Sequence, residues 1–366
     1  MMHLKETTNA QQEVLCKLGR RNSIIQPAQS LERCMYKLPF TFLLFVCIQS
    51  FAQDSLVNII PTQNNFVSLS DSSIKINKKG NFFFEYSKKK EKLVTYFQIA
   101  GYSANFASLY YFWYKDYPLG NFHFFNDNEE YLQMDKVSHM YGAYLGGRMS
   151  MQMWKWAGVS KKKYVWLGGM TGLAYETVIE VMDGFSPHWG FSWGDYSANL
   201  VGTSILIGQE LAWDEQRIQI KYSTHYETYY PADLERFAVS VVGKDKINRL
   251  FKDYNPQTYW LSANIKSFFK NSKVPAWLNI AVGYGADNIV GSKHINYLDA
   301  NGVNTNMDYL LPRYRQWYLA PDIDLTRIKT KSKFLKTALF VLNSFKFPTP
   351  SLELSQGSLK WNWIHF

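Results

Sequence analysis

From residue 93 to about 215, apolar positions recur at the three-to-four-residue spacing of helices; from about Gln216 they alternate with polar ones, as in strands. The first block divides into four helical stretches. "LVTYFQIAGYSANFASLYYFWY", Leu93 to Tyr114, carries no charge and is long enough to cross a bilayer. "DKVSHMYGAYLGGRMSMQMWKW" sets Val137, Met140, Tyr141, Tyr144, Leu145 and Met149 on one face, and "KYVWLGGMTGLAYETVIEVMD" and "DYSANLVGTSILIGQELAW" complete the set. Gly142, Gly146, Gly147, Gly168, Gly169 and Gly172 are poor helix formers that permit close backbone approach. Arg148, Glu176, Glu180 and Asp195 argue against lipid on their faces, which leaves open whether the block lies in a bilayer.

In the second block, "RIQIKYSTH" alternates Ile218, Ile220 and Tyr222 with Arg217, Gln219 and Lys221, the pattern of a one-sided strand. "QTYWLSANI", "WLNIAVGYG", "RQWYLAPDIDL" and "SLKWNWIHF" are further strands, and "SKFLKTALFVLNSF" is a helix between them. Ending on Phe366 after Trp361, Trp363 and Ile364 is like the closing strand of an outer-membrane barrel. Five or six strands are nevertheless too few for a spanning barrel, which needs about eight. The expected fold class is therefore α+β: a helical domain of about four glycine-rich packed helices, 93–215, followed by a small antiparallel β-region, 216–366.

The start of the chain reads differently. "MYKLPFTFLLFVCIQSFAQ" has a short basic start, an apolar stretch and a small-x-small cleavage site before Gln53, so residues 35–52 read as a secretory signal peptide. Residues 1–34 are then either an over-extended start or a disordered extension, and 53–92, rich in Ser, Asn and Lys, are a flexible arm. Export leaves no cysteine in the mature chain, since Cys16, Cys34 and Cys47 precede Gln53, and with them go disulfides and thiolate metal sites. A lipid anchor would need Cys47 as the first mature residue, against which stands the bulk of Val46. Aromatic residues make up 17% of the chain, an enrichment that suits an envelope protein. After Ala52 there remain 34 basic and 27 acidic residues, a mild excess densest at Lys88, Lys89, Lys90 and Lys92. The expected partners are a membrane surface or an envelope component; no nucleic-acid pattern is present, and the oligomeric state is open.

Candidate chemistry lies in polar residues inside the apolar helices. Asp135 and His139 are four apart; Glu176, Glu180 and Asp183 follow the i, i+4, i+7 rule, as do Asp195, Asn199 and Gly202. Each set returns to one helix face, and burying charges singly is costly, so the three stripes are expected to face one another around a proton, water or cation. Asp135 and Asp195 also stand where helices begin, so each is equally well an N-cap. His139 could be a hydrogen-bonded core histidine, and Asp183 could simply end its helix.

"DKVSHM", "ETVIEVMDG" and "GFSWGDYSANLVG" resemble the predicted periplasmic lipoproteins of domain-of-unknown-function family 2279. Asp135, Lys136, His139, Glu180, Asp183, Ser192, Trp193, Asp195 and Gly202 fall on that pattern, and the resemblance spans about 93–213. A looser likeness, through Ser192, Asp195, Asn199 and Gly202, is to VanZ-like membrane proteins. The resemblance implies an exported protein of the periplasm or outer membrane and implies no reaction.

Two readings follow. In one the protein is a structural or binding component whose buried polar cluster fixes helix register. In the other it is an envelope hydrolase or transferase acting on lipid or glycan, with Asp135, His139, Glu180 and Asp195 as catalytic candidates and Glu176, Asp183, Ser192, Trp193 and Asn199 as binding candidates. The aromatic loop Phe185 to Trp193, with Pro187 and His188, would cover that site. No cofactor fingerprint occurs; one His among carboxylates suits magnesium or calcium better than zinc.

Overall fold

The computed structural model describes residues 74–76, 82–114, 119–187, 189–230, 232–244, 246–292, 296–298, 304–306 and 311–366. The signal peptide, the three cysteines, His188 and most of the expected arm lie outside the described residues. The architecture is α+β, as the periodicities predict. A three-residue hairpin, β1 (Ile74–Ile76) and β2 (Phe82–Phe84), precedes helix α1 (Lys88–Leu109). Ser87 caps α1, so the lysine run is its first turn, and a π-helical turn, Tyr110–Tyr114, ends it. Its inner face mixes apolar Val94 and Leu109 with two buried amides: Gln98 Nε2 donates to Ser150 Oγ at 2.6 Å, and Tyr175 donates to Asn105. No helix among the described residues is long and apolar enough to cross a membrane.

Helices α2 (Met134–Trp156), α3 (Gly169–Gly184) and α4 (Trp193–Trp213) form the centre. Two glycines set their spacing. A Cβ on Gly172 would lie 2.0 Å from the Ala143 carbonyl, and one on Gly202 would lie 2.1 Å from that of Met140, so α3 and α4 both pack backbone-on-backbone against α2. The core continues from Tyr144, Leu145, Ile179 and Leu206 to Ile220, Tyr222 and Tyr259 of the sheet. Tyr141 of α2 stacks on Tyr222 with centroids 5.8 Å apart.

Beyond α4 come β3 (Ile218–Ser223), helices α5 (Ala232–Val242) and α6 (Lys246–Lys252), β4 (Thr258–Asn264) and β5 (Leu278–Asp287). A second small hairpin, β6 (Asn296–Leu298) and β7 (Asn304–Asn306), leads to β8 (Tyr314–Ile323), helix α7 (Lys333–Leu342), β9 (Thr349–Ser355) and β10 (Ser358–His365). Six of these strands form one antiparallel sheet in the order β10-β9-β8-β5-β4-β3. The sheet curls, bringing His365 Nε2 within 3.2 Å of Thr258 Oγ1 and stacking its ring on Tyr318 at 3.9 Å.

The expectation of a one-sided β3 is corrected here, because Gln219 and Lys221 are as buried as Ile220 and Tyr222. The cause is a polar lining on the concave side of the sheet. Lys221 Nζ pairs with Asp322 Oδ2 at 2.7 Å and donates to the Ile323 carbonyl at 2.8 Å and to Asn343 Oδ1 at 3.1 Å. Asn264, Asn279 and Ser262 extend that lining in a hydrogen-bonded chain.

Candidate functional site

The local sequence places each polar group of the three central helices. Ser192 caps α4, its Oγ accepting from Asp195 N–H at 3.1 Å, which puts Asp195 one turn inside the helix. Asp195 is therefore not the N-cap. Neither is Asp135, because α2 enters through Gln133, which makes no side-chain cap. Tyr131, Leu132 and Gln133, with φ of 45°, 50° and 65°, are three consecutive left-handed residues without glycine. Each such residue costs about 1–3 kcal/mol, so neighbours must hold them. They do: Tyr131 N–H donates to the Ser292 carbonyl at 2.9 Å, Tyr284 donates to the Leu132 carbonyl, and Arg315 donates to Gln133 Oε1 at 2.5 Å. The sheet thereby fixes the start of α2 and the position of Asp135.

The expected convergence of the three stripes is present. His139, 6% exposed, stands among four carboxyl groups: its Nε2 is 3.6 Å from Glu180 Oε1, 3.9 Å from Asp195 Oδ1 and 4.0 Å from Asp135 Oδ1, and its Nδ1 is 3.7 Å from Glu176 Oε2. These separations exceed hydrogen-bond length, so the groups interact through charge. Lys136 is the second cation, with Nζ 2.6 Å from Asp127, 2.7 Å from Asp195 and 3.2 Å from Asp135. Tyr254, just before β4, donates to Asp135 Oδ1 at 2.8 Å. Ser192 reaches the cluster twice: its N–H donates to Glu180 Oε2 at 3.1 Å and its hydroxyl to Asp127 Oδ1 at 2.7 Å. Asn199 is fully buried on the same α4 face, and neither its amide atoms nor the Glu176 oxygens find a hydrogen-bond partner among the described residues.

Two expected residues lie at the margin. Asp183 accepts from the Tyr114 hydroxyl at 2.6 Å, although it is close enough to act on Glu180. Trp193 is 60% exposed and stacks on Phe124 at 5.8 Å, in an aromatic patch outside the cluster. The loop between α3 and α4 touches the cluster through Ser192, and it pairs with 120–125 through Phe191 N–H to the His123 carbonyl at 2.9 Å.

Burial dominates the electrostatics. It pushes the Glu176 carboxyl up to about 8, despite the opposing pull of His139, and Glu180 up to about 9. Asp195 is raised well above its usual value by burial and by Asp135, against Lys136. Burial also raises the cost of ionised Asp135, but Lys136, His139 and the Tyr254 hydroxyl outweigh it, and this group alone of the four is lowered. Burial disfavours protonated His139 and Lys136, yet the surrounding carboxylates win and raise both. At neutral pH the site thus holds protonated Glu176 and Glu180 beside an ionised Asp135 and the Lys136 ammonium.

Asp135, His139 and Asp195 offer ligand atoms within 4.8 Å of one another, a spacing that could hold a metal ion. Lys136 already places its ammonium on the same Asp195 oxygen, so a metal would compete with a cation built into the chain. Periodicity did not assign Lys136, Asp127 or Tyr254 to the site. The adjacency of Lys136 to Asp135 within the family pattern was the available signal for the first. Asp127 and Tyr254 come from irregular segments that carry none.

These helices define an α+β protein built around a buried His-carboxylate-lysine cluster. Residues 123–207, which hold every member of the cluster except Tyr254, match the family model described as predicted periplasmic lipoprotein (DUF2279). The match bears out the resemblance over a shorter stretch than the motifs suggested, and its description agrees with an exported protein of the periplasm or outer membrane. No curated protein and no solved structure matches the chain.

Proposed function

We propose that this is a non-catalytic component of the cell envelope, and that the cluster pins α2, α3 and α4 in register through internal neutralisation. The observation that carries this reading is closure. Asp135, His139, Glu176, Glu180, Asp195 and Asn199 are all at least nine-tenths buried, and glycines draw the helices together around them. A Cβ on Gly142 would meet Glu176 Oε1 at 2.5 Å. A lipid or glycan has no approach to groups packed this closely, whereas a polar network with complementary charges specifies one helix arrangement over its neighbours.

A second reading, acid–base catalysis, draws on one specific feature: His139 lies between Glu180, which stays protonated, and Asp135, which is ionised, so donor and acceptor stand side by side. The variants His139→Gln, Glu180→Gln and Asp195→Asn separate the two. Under the proposal, loss of the envelope phenotype in complementation follows each variant's loss of thermal stability. A variant that melts like the native protein yet fails to complement supports catalysis instead.

A further inference from the structure

The outer face of the curled sheet reverses the usual arrangement: the concave side carries the polar lining, around a small apolar cluster of Trp260, Ala281, Tyr318 and Ala320, and the convex face is apolar. Leu261, Val282 and Leu319 are paired across β4, β5 and β8, and the row continues through Leu352 to Trp361 on β9 and β10. With Ile280, Trp317 and Leu354, the exposed members on β4, β5, β8 and β9 are 44–50% accessible. Apolar-out and polar-in alternation is how strands meet lipid, and a contiguous apolar face of this kind marks an interaction site.

The surroundings say which partner fits. This face runs to the end of the sheet where β4, β5 and β8 meet segments 265–277 and 325–336. Asp324, immediately before the second segment, donates its N–H to the Trp277 carbonyl at 2.8 Å, and Arg327 Nη2 donates to Ser267 Oγ, also at 2.8 Å. The two segments contain three and five Lys or Arg residues respectively and no Asp or Glu; Arg327 is paired with Glu215 and Asp324, and the other seven, all lysines, make the rim. Helix α7 begins there. It is amphipathic, and none of its residues is fully buried: Phe340 packs on the core beneath Arg148, while Phe334, Leu335 and Leu342 stand exposed, as do Lys331 and Lys336. Phe268, Phe269 and Trp277 add exposed rings at the same end. Apolar strands ending in a rim of cations and aromatics match the hydrocarbon edge, the anionic headgroups and the interface of a charged bilayer.

We propose that the convex sheet face and α7 seat the protein on an anionic lipid bilayer, with the segments 265–277 and 325–336 against the phosphates. This goes beyond the role assigned to the buried cluster and uses none of its residues.

The test is co-sedimentation of the purified protein with phosphatidylcholine vesicles, with and without about one third phosphatidylglycerol. Each exposed lysine contributes about a fivefold gain in partitioning at such a surface. The proposal expects strong, salt-sensitive binding to the anionic vesicles. The variant Lys329→Glu/Lys331→Glu/Lys336→Glu should lose at least about tenfold of it, and Leu261→Ser/Leu319→Ser should weaken binding to both compositions. Far-UV melts matching the native protein show that the variants are folded, as their exposed positions lead one to expect. Partitioning unchanged by both variants overturns the proposal. So does sedimentation equilibrium in which the Leu261→Ser/Leu319→Ser pair splits a dimer while lipid binding persists, since the face would then belong to a second copy.

Discussion

Replacing Glu176 by Gln removes one titration from the cluster and keeps the side chain's shape. The carboxyl is fully buried, with a pKa of about 8 against an ordinary 4.5. Between those values the folded chain keeps a proton that the unfolded chain releases. Stability from this group is therefore complete below about 4.5, falls as pH rises, and is lost as pH passes about 8. The whole window corresponds to roughly 5 kcal/mol, at about 1.4 kcal/mol per pH unit. The amide is neutral throughout, so the stability of Glu176→Gln relative to the native protein should rise with pH, by about 2–3 kcal/mol across two pH units. Urea unfolding at several pH values between about 5 and 8 measures it through the midpoint at constant slope. Parallel pH profiles for the two proteins would refute the claim that Glu176 is held protonated by burial.

Lys136→Met should destabilise by about 3–5 kcal/mol, because it leaves Asp127, Asp135 and Asp195 facing one another without their ammonium; chemical denaturation reads the loss. Gly202→Ala pushes a methyl into the Met140 carbonyl and should cost at least about 1–3 kcal/mol, visible as a lowered melting temperature, whereas Gly208→Ala, which meets open space, should be neutral or better. In the sheet, Lys221→Met should cost about 3–5 kcal/mol by stranding Asp322, and adding Asp322→Leu should recover most of it in a double-mutant cycle. Because Lys136 supplies the cation at Asp195, millimolar magnesium or calcium should leave the melting temperature of chelator-treated protein unchanged.

The stripes on α2, α3 and α4 were legible because an acid or amide inside an apolar helix stands out, and helical geometry says which of them share a face. Whether Asp195 caps its helix or only faces inward stayed open in the sequence because Ser192, three residues earlier, competes for the cap, and the Ser-x-x-Asp spacing suits either. Lys221 and Gln219 looked solvent-facing because alternation assumes an apolar interior, and the concave side of this sheet is buried yet polar there: Asp322, Asn343 and Asp324 accept their hydrogen bonds. Strand β9 escaped notice because Pro350 and Glu353 break an apolar pattern that edge-proximal pairing tolerates. The left-handed run at Tyr131–Gln133 has no sequence signature, since no glycine or asparagine occupies it; contacts from Ser292, Tyr284 and Arg315, distant in the chain, impose it.

The central claim is that an imidazole from α2 sits dry among carboxyl groups from three helices, and nitrogen NMR of His139 tests it most directly. The account predicts an imidazolium that titrates above pH 6.5 and gives up its proton at lower pH once Asp135→Asn removes the ionised carboxylate beside it. A His139 ring that titrates at or below 6.5, and does so equally in the variant, would contradict it.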